Sequence, residues 1–279
     1  MSVAAGTEVY NVDEKRVVAR GRRHSAAQRD AALDGEVRSL IQDDAGREIA
    51  TELMTSLART GFSTKNVDAV LNNASAPQDW EVGESYGEAY LTTHAKCHFP
   101  WSDRWDERKD KSSLPGADLV GLQETNDKTL SFRFAFGEIK TSRENNYPPG
   151  VMYGEKGLKR QLEDLRDRKP IRDTLVRYLM VRARNADWED KWKSAAQRYL
   201  KSSSDVAVYG ILIRDVTPDR RDLSARAKGA AKKQPPKMHI ELLAIYLPAG
   251  SIVDLPTRYT PTAAAKPVKK KSAPKKKGR

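Results

Sequence analysis

Even-numbered positions over residues 117–123 read Asp118, Val120, Leu122, and over residues 129–141 they include Phe132, Phe134, Phe136, Glu138, Lys140. Side chains alternate faces along a strand, so each run has one apolar face that ends in charge. Between the runs lies Glu124-Thr-Asn-Asp-Lys128, which is polar and turn-forming. The pattern predicts a β-hairpin with its charges far from the turn. A turn centred near Lys128 sets Asp118 opposite Glu138, and a turn one residue earlier sets it opposite Phe136. Opposed residues have Cβ atoms about 4.5–5.5 Å apart and diagonal ones about 7–8 Å, so the carboxylates converge in either register.

The rest of the chain is read the same way. Val37, Leu40, Ile41, Ile49, Leu53 and Leu57 recur at helical spacing over residues 35–60. Further helices are predicted over residues 25–32, 63–71, 80–96, 154–168, 171–184 and 188–201. Residues 206–214 (VAVYGILIR) and 238–247 (MHIELLAIYL) read as buried strands, and residues 8–12 as a short one. Residues 72–78, 142–151 and 215–237 read as loops, the last strongly basic. The expected fold is α/β: a mixed sheet of about four or five strands flanked by helices. The expected organisation is an N-terminal helical extension over residues 1–78, a core over residues 79–258, and a disordered Lys-rich tail over residues 259–279.

The chain has 279 residues and a net charge of +12, which points to a polyanionic partner. Eight of its cations lie in residues 263–279 without an acid, so the rest carries only +4. The basic excess is thus partly an appendage, suited to salt-sensitive contact with nucleic acid. Cys97 is the single cysteine, which excludes an intrachain disulfide and fits a reducing cytoplasm. The N-terminus lacks the pattern of a signal peptide, and the longest apolar run, near residues 206–213, is too short to span a bilayer. A cytoplasmic protein with no membrane partner is expected.

Two carboxylates and a lysine at the mouth of an aromatic face suit a hard cation such as magnesium, with the lysine placed to handle a bound water. A salt bridge at a strand end is the alternative use of the same residues. Two other motifs are weaker. Gly83-Glu-Ser85-Tyr-Gly87 matches a nucleophile elbow, but Trp80-Glu-Val82 is too short for the strand an elbow needs. His94, Cys97 and His98 invite a zinc reading that lacks a second ligand pair. Trp101 and Trp105, among charges over residues 99–111, suit either a nucleic-acid groove or a loop pinned to the core.

Gly116-Ala-Asp118 followed by Gly137-Glu138-Ile-Lys140 resembles the PD-(D/E)xK nuclease signature. Together with Trp80-Glu-Val-Gly83-Glu84 and Leu114-Pro-Gly116-Ala-Asp118, it is similar to HamA, the family of nuclease subunits of Hachiman antiphage defence systems, over roughly residues 80–165. The resemblance implies a restriction-endonuclease-like fold and magnesium-dependent DNA cleavage, with manganese able to substitute. It also implies a superfamily 2 helicase partner, HamB, in a heterodimer. It assigns Asp118, Glu138, the Ile139 carbonyl and Glu84 to metal and Lys140 to the attacking water. Glu88 is the second choice for the helix acid, and Gln161 is carried over as a polar residue facing the site. Lys159 and Arg160 are candidate phosphate contacts. A stand-alone restriction or repair nuclease, or a catalytically inactive DNA-binding scaffold, would share many of these features. Nucleases of this kind place a strand before the Asp-bearing one, and none is evident between His98 and Leu114.

Overall fold

The computed structural model describes residues 2–57, 67, 77–100 and 116–259. The helix expected over residues 63–71 (Val67 apart), the loop over 72–76, Trp101 and Trp105, and the Lys-rich tail from residue 260 lie outside them. The described chain is a mixed α/β structure built on one seven-stranded sheet. Its strands are β1 (Thr7–Glu14), β2 (Val17–Arg23), β3 (Cys97–His98), β4 (Leu119–Glu124), β5 (Phe132–Ser142), β6 (Val206–Arg214) and β7 (His239–Tyr246). They lie in the order β1-β2-β7-β6-β5-β4-β3. β2, β7, β6 and β5 are mutually parallel, whereas β1, β4 and β3 pair antiparallel at the two margins.

Each face of the sheet has its own core. On one side Phe134 and Phe136 of β5 and Val206, Val208 and Leu212 of β6 meet three helices, α5 (Leu158–Asp167), α6 (Lys169–Ala183) and α7 (Glu189–Lys201). On the other side Ala135, Ile139, Ile211 and Ile213 meet α4 (Asp79–His94) and the N-terminal helices α1 (Ala26–Asp34) and α2 (Glu36–Gln42). β6 is central and buried at all nine positions, which explains its unbroken apolar run.

The sheet is wider than the four or five strands expected. The N-terminal 78 residues are not only helical: they open with the hairpin β1–β2, and β2 joins β7 in parallel. Arginines disguised this strand. Val17 and Ala19 are fully buried, while the outward Arg20 pairs with Glu241 (3.6 Å) and Arg22 with Glu8 (3.0 Å). The basic loop expected over residues 215–237 contains a helix, α8 (Ser224–Lys232), whose inner face is Leu223 and Ala227. Alanine is the best helix former, and its small side chains let α8 lie close on β1 and β2. The helix expected over residues 35–60 is broken by Asp43, which is left-handed (φ 41°), into α2 and α3 (Asp44–Leu57). Beyond that break Ile49, Leu53 and Leu57 are 68%, 62% and 69% exposed rather than buried. Ahead of the interval in which no strand is evident, the structure has the two-residue β3, which pairs with Leu122 and Gln123; residues 101–115 lie outside the described ones.

Helix α4 sits on β5 at backbone distance. A Cβ on Gly83 would fall 2.0 Å from Thr141 Oγ1, and one on Gly87 would fall 2.6 Å from Ile139 Cδ1. The two glycines, one helical turn apart, are what let this helix lie so low against the strand. No helix among the described residues is long and apolar enough to cross a membrane.

Candidate active site

Four parallel strands finish together: Ser142 of β5 pairs with Arg214 of β6, which pairs with Tyr246 of β7, which pairs with Arg23 of β2. β4 runs the opposite way, so its start reaches the same edge. The register is Leu119↔Gly137 and Val120↔Phe136, which sets Asp118 level with Glu138, the first of the two expected pairings. The carboxyl ends of parallel strands are where α/β sheets open to ligands, because the covering helices diverge there.

Asp118 and Glu138 are held by different means. Asp118 Oδ2 accepts the Ile139 amide at 2.8 Å, so the Asp locks to the backbone of the strand that carries its partner. Glu138 is wholly buried and pairs with Gly210 of β6, over which the Leu162 and Leu242 side chains pack. Its Oε1 takes a 2.5 Å hydrogen bond from Lys140 Nζ, and the same ammonium lies 3.9 Å from Asp118 Oδ2. Glu138 Oε2 is buried without a hydrogen-bond donor among the described residues. Ile139 itself points to the opposite face, beneath Gly87.

Glu84 approaches from the first half of α4. Burial, then the negative charge of Asp118, pushes its carboxyl up to about 9; Lys140 opposes this and Glu138 adds to it. Burial followed by Asp118 likewise pushes Glu138 up to about 8, with Lys140 opposing. Burial tends to lower the Lys140 ammonium, but Asp118 and Glu138 together raise it, so it stays charged. Three carboxylates therefore crowd one cation, and the excess negative charge is relieved by a proton or by another cation.

That electrostatic surplus, together with the orphaned Glu138 oxygen, fits a divalent metal with oxygen preference. The residues that would hold it are Asp118, Glu138 and Glu84, with the Ile139 carbonyl beside them. Among the described residues no group of three or more His, Cys, Asp or Glu already stands at coordinating spacing.

The other expected residues sit on α4 and α5. Gln161 lies in the first turn of α5, and its amide oxygen is buried without a hydrogen bond to any described residue. Lys159 and Arg160 pair along their own helix with Glu163 (3.9 Å) and Asp164 (3.4 Å). Glu88 sits one turn beyond Glu84 on α4. Ser85 lies inside α4 and donates to the Glu81 carbonyl (3.1 Å), so Gly83 to Gly87 is helix packing and not an elbow. The zinc candidates part company: His94 Nε2 meets the Val3 carbonyl at 2.8 Å, and Cys97 is buried by the Ala95 carbonyl.

A second cluster at this edge was not anticipated. Arg214 is fully buried and donates to Asp222 Oδ1 (2.8 Å), to the Asn146 carbonyl (3.2 Å) and to the Glu144 carbonyl. Asp222 also accepts from Tyr246 (2.7 Å). The arginine thereby ties the loop after β5 to β6. A single arginine ending an apolar run gives no sign that it is buried until its partners are known.

No protein-family model matches the chain, and no curated protein matches it either.

Proposed function

We propose that this chain is a metal-dependent DNA nuclease with a restriction-endonuclease-like fold, of the kind that serves antiphage defence beside a superfamily 2 helicase. The observation that carries this reading is the convergence of Asp118, Glu138, Glu84 and Lys140 at one end of a hairpin, with more carboxylate than local cation. A structural salt bridge would need one acid and one base. Three acids on one lysine, one wholly buried and two partly so, are unstable as a purely structural device, and they suit a site that receives a cation and a phosphate.

Magnesium, when bound, would lower the pKa of a water and offset negative charge on the scissile phosphate. The chain's own residues do the rest. Asp118 and Glu138 would hold the cation from adjacent strands, and the Ile139 amide fixes the orientation of Asp118. Lys140, tethered to Glu138, holds the attacking water in line with the phosphorus. Glu84 completes the acidic set from the helix. In-line attack on the phosphodiester leaves a 5′-phosphate and a 3′-hydroxyl, as the sequence resemblance implies. A helicase partner would restrain or direct this activity, since an unguarded nuclease is toxic to its host.

The test is cleavage of linear and circular DNA in magnesium or EDTA, with helicase and ATP supplied. Magnesium-dependent cleavage by wild type and none by Glu138→Ala/Lys140→Ala is expected. Cleavage that survives the double substitution moves the chemistry away from this hairpin. DNA binding without cleavage under every condition favours a scaffold.

A further inference from the structure

The linker from β5 to α5 and the segment from β6 to α8 leave the sheet at the edge that carries the acid–lysine cluster. The first supplies two tyrosines, Tyr147 and Tyr153, and the second supplies Arg221 and Arg226. They interleave. Tyr147 has the guanidinium carbons of Arg214 and Arg221 each 5.3 Å from its ring centroid, and its hydroxyl donates to the Thr217 carbonyl at 2.9 Å. Tyr153 has Arg226 at 5.7 Å.

The two tyrosines differ in what they leave available. Tyr147 is enclosed by its arginines, whereas Tyr153 is 52% exposed. Its backbone is nevertheless pinned. The Tyr153 amide donates to the Gly150 carbonyl (3.0 Å), Met152 before it is fully buried, and Gly154 after it is left-handed (φ 82°). The chain then folds back so closely that a Cβ on Gly157 would lie 2.1 Å from the Tyr153 carbonyl oxygen. A large ring is thus held out to solvent by a rigid turn, at small entropic cost on binding. Its charged surroundings are unspent as well. Arg226, Lys156 and Arg143 form no ion pair with any described carboxylate, in contrast to Lys159 and Arg160 on α5. Arg143 directly follows the last residue of β5.

We infer that Tyr153 and Arg226 form a stacking step for the bases of a single nucleic-acid strand led past the acid–lysine cluster, with Arg143 and Lys156 on its phosphates. An exposed ring flanked by guanidinium suits unpaired bases, whose faces are free; in duplex DNA those faces are covered by neighbours. The preferred substrate would therefore be a single-stranded segment, such as a frayed end or an unwound strand. The inference rests on the nuclease reading for what is cut, but not for what is bound.

Binding of the full chain to a dye-labelled oligothymidylate of roughly 20 nucleotides, and to a duplex of equal length, tests it in EDTA. Salt of about 0.3 M suppresses the contribution of the Lys-rich tail. Tyr153→Ala is expected to weaken strand binding about 5- to 100-fold, with Tyr153→Phe within about twofold of wild type. Duplex binding by Tyr153→Ala should also stay within about twofold. Wild-type strand affinity in Tyr153→Ala, equal losses in Tyr153→Phe, equal losses on duplex, or no strand binding by wild type would each overturn it. Cleavage in magnesium is scored separately. Tyr153-dependent strand binding by a chain that never cleaves would leave the step standing and remove the nuclease reading. Cleavage without such binding would do the reverse.

Discussion

Arg214 and Glu138 are both wholly buried charges on adjacent strands near the same sheet edge, and their neighbours treat them in opposite ways. Arg214 has one carboxylate, Asp222, and the Glu144 and Asn146 carbonyls on its terminal nitrogens, with only its Nε left without a partner among the described residues, and Tyr246 completes Asp222 from the other side. Its charge is matched one for one. Glu138 has a lysine on one oxygen, no hydrogen-bond partner among the described residues on the other, and two more carboxylates pressing on it. A matched buried pair ties loops to strands and gains nothing from a further ligand. An unmatched cluster is held together only by the fold around it, and it is relieved by whatever cation arrives. The difference is the reason for reading the Arg214 pair as architecture and for proposing chemistry at the Glu138 cluster.

The sharpest way to break the comparison is to remove each cluster in turn. Glu138→Ala/Lys140→Ala should reduce cleavage by roughly 10³-fold or more, while the thermal midpoint stays at or above that of wild type. A large loss of stability would mean that this cluster is architectural too. Arg214→Ala should instead lower unfolding free energy in urea by about 3–5 kcal/mol, because Asp222 is left buried and unpaired. Arg214→Met/Asp222→Leu should recover much of that loss.

Proton linkage sharpens it further. Glu138 and Glu84 are pushed up to about 8 and about 9 from ordinary values near 4.5. Between those limits the metal-free folded chain keeps protons that the unfolded chain has released. Stability from this source is complete below about pH 4.5 and is lost as pH rises through 8 to 9. Melting in EDTA should therefore report a decline on the order of a few kcal/mol across that window. Glu138→Gln should flatten the decline, and magnesium should reverse it.

The smallest effect concerns how Glu84 is delivered. Gly83→Ala forces α4 away from Thr141 and should cost about 1–3 kcal/mol, with a fall in cleavage as Glu84 withdraws. Adding Thr141→Ala removes the oxygen that the new methyl meets, and it should restore both. Recovery of stability without recovery of cleavage would argue that Glu84 is not part of the acidic set.

The amino-acid sequence by itself determined the hairpin and the strand over residues 206–214 and narrowed the hairpin's register to two, because each is written in neighbouring residues. The alternation of Phe132, Phe134 and Phe136 and the polar turn before them need no distant partner to be read. The convergence of Asp118, Glu138 and Lys140 follows from that pairing alone. Only the tertiary structure decided the remainder. β2 is a strand because Val17 and Ala19 find β7, more than two hundred residues later, while its arginines look outward. α3 exposes the face that its spacing would bury, because the chain turns at Asp43. Arg214 is buried and Tyr153 exposed, the reverse of what either residue type suggests. Periodicity along a chain records which face of an element is apolar. It carries no information about which remote segment will cover that face, or about which charge will find a partner.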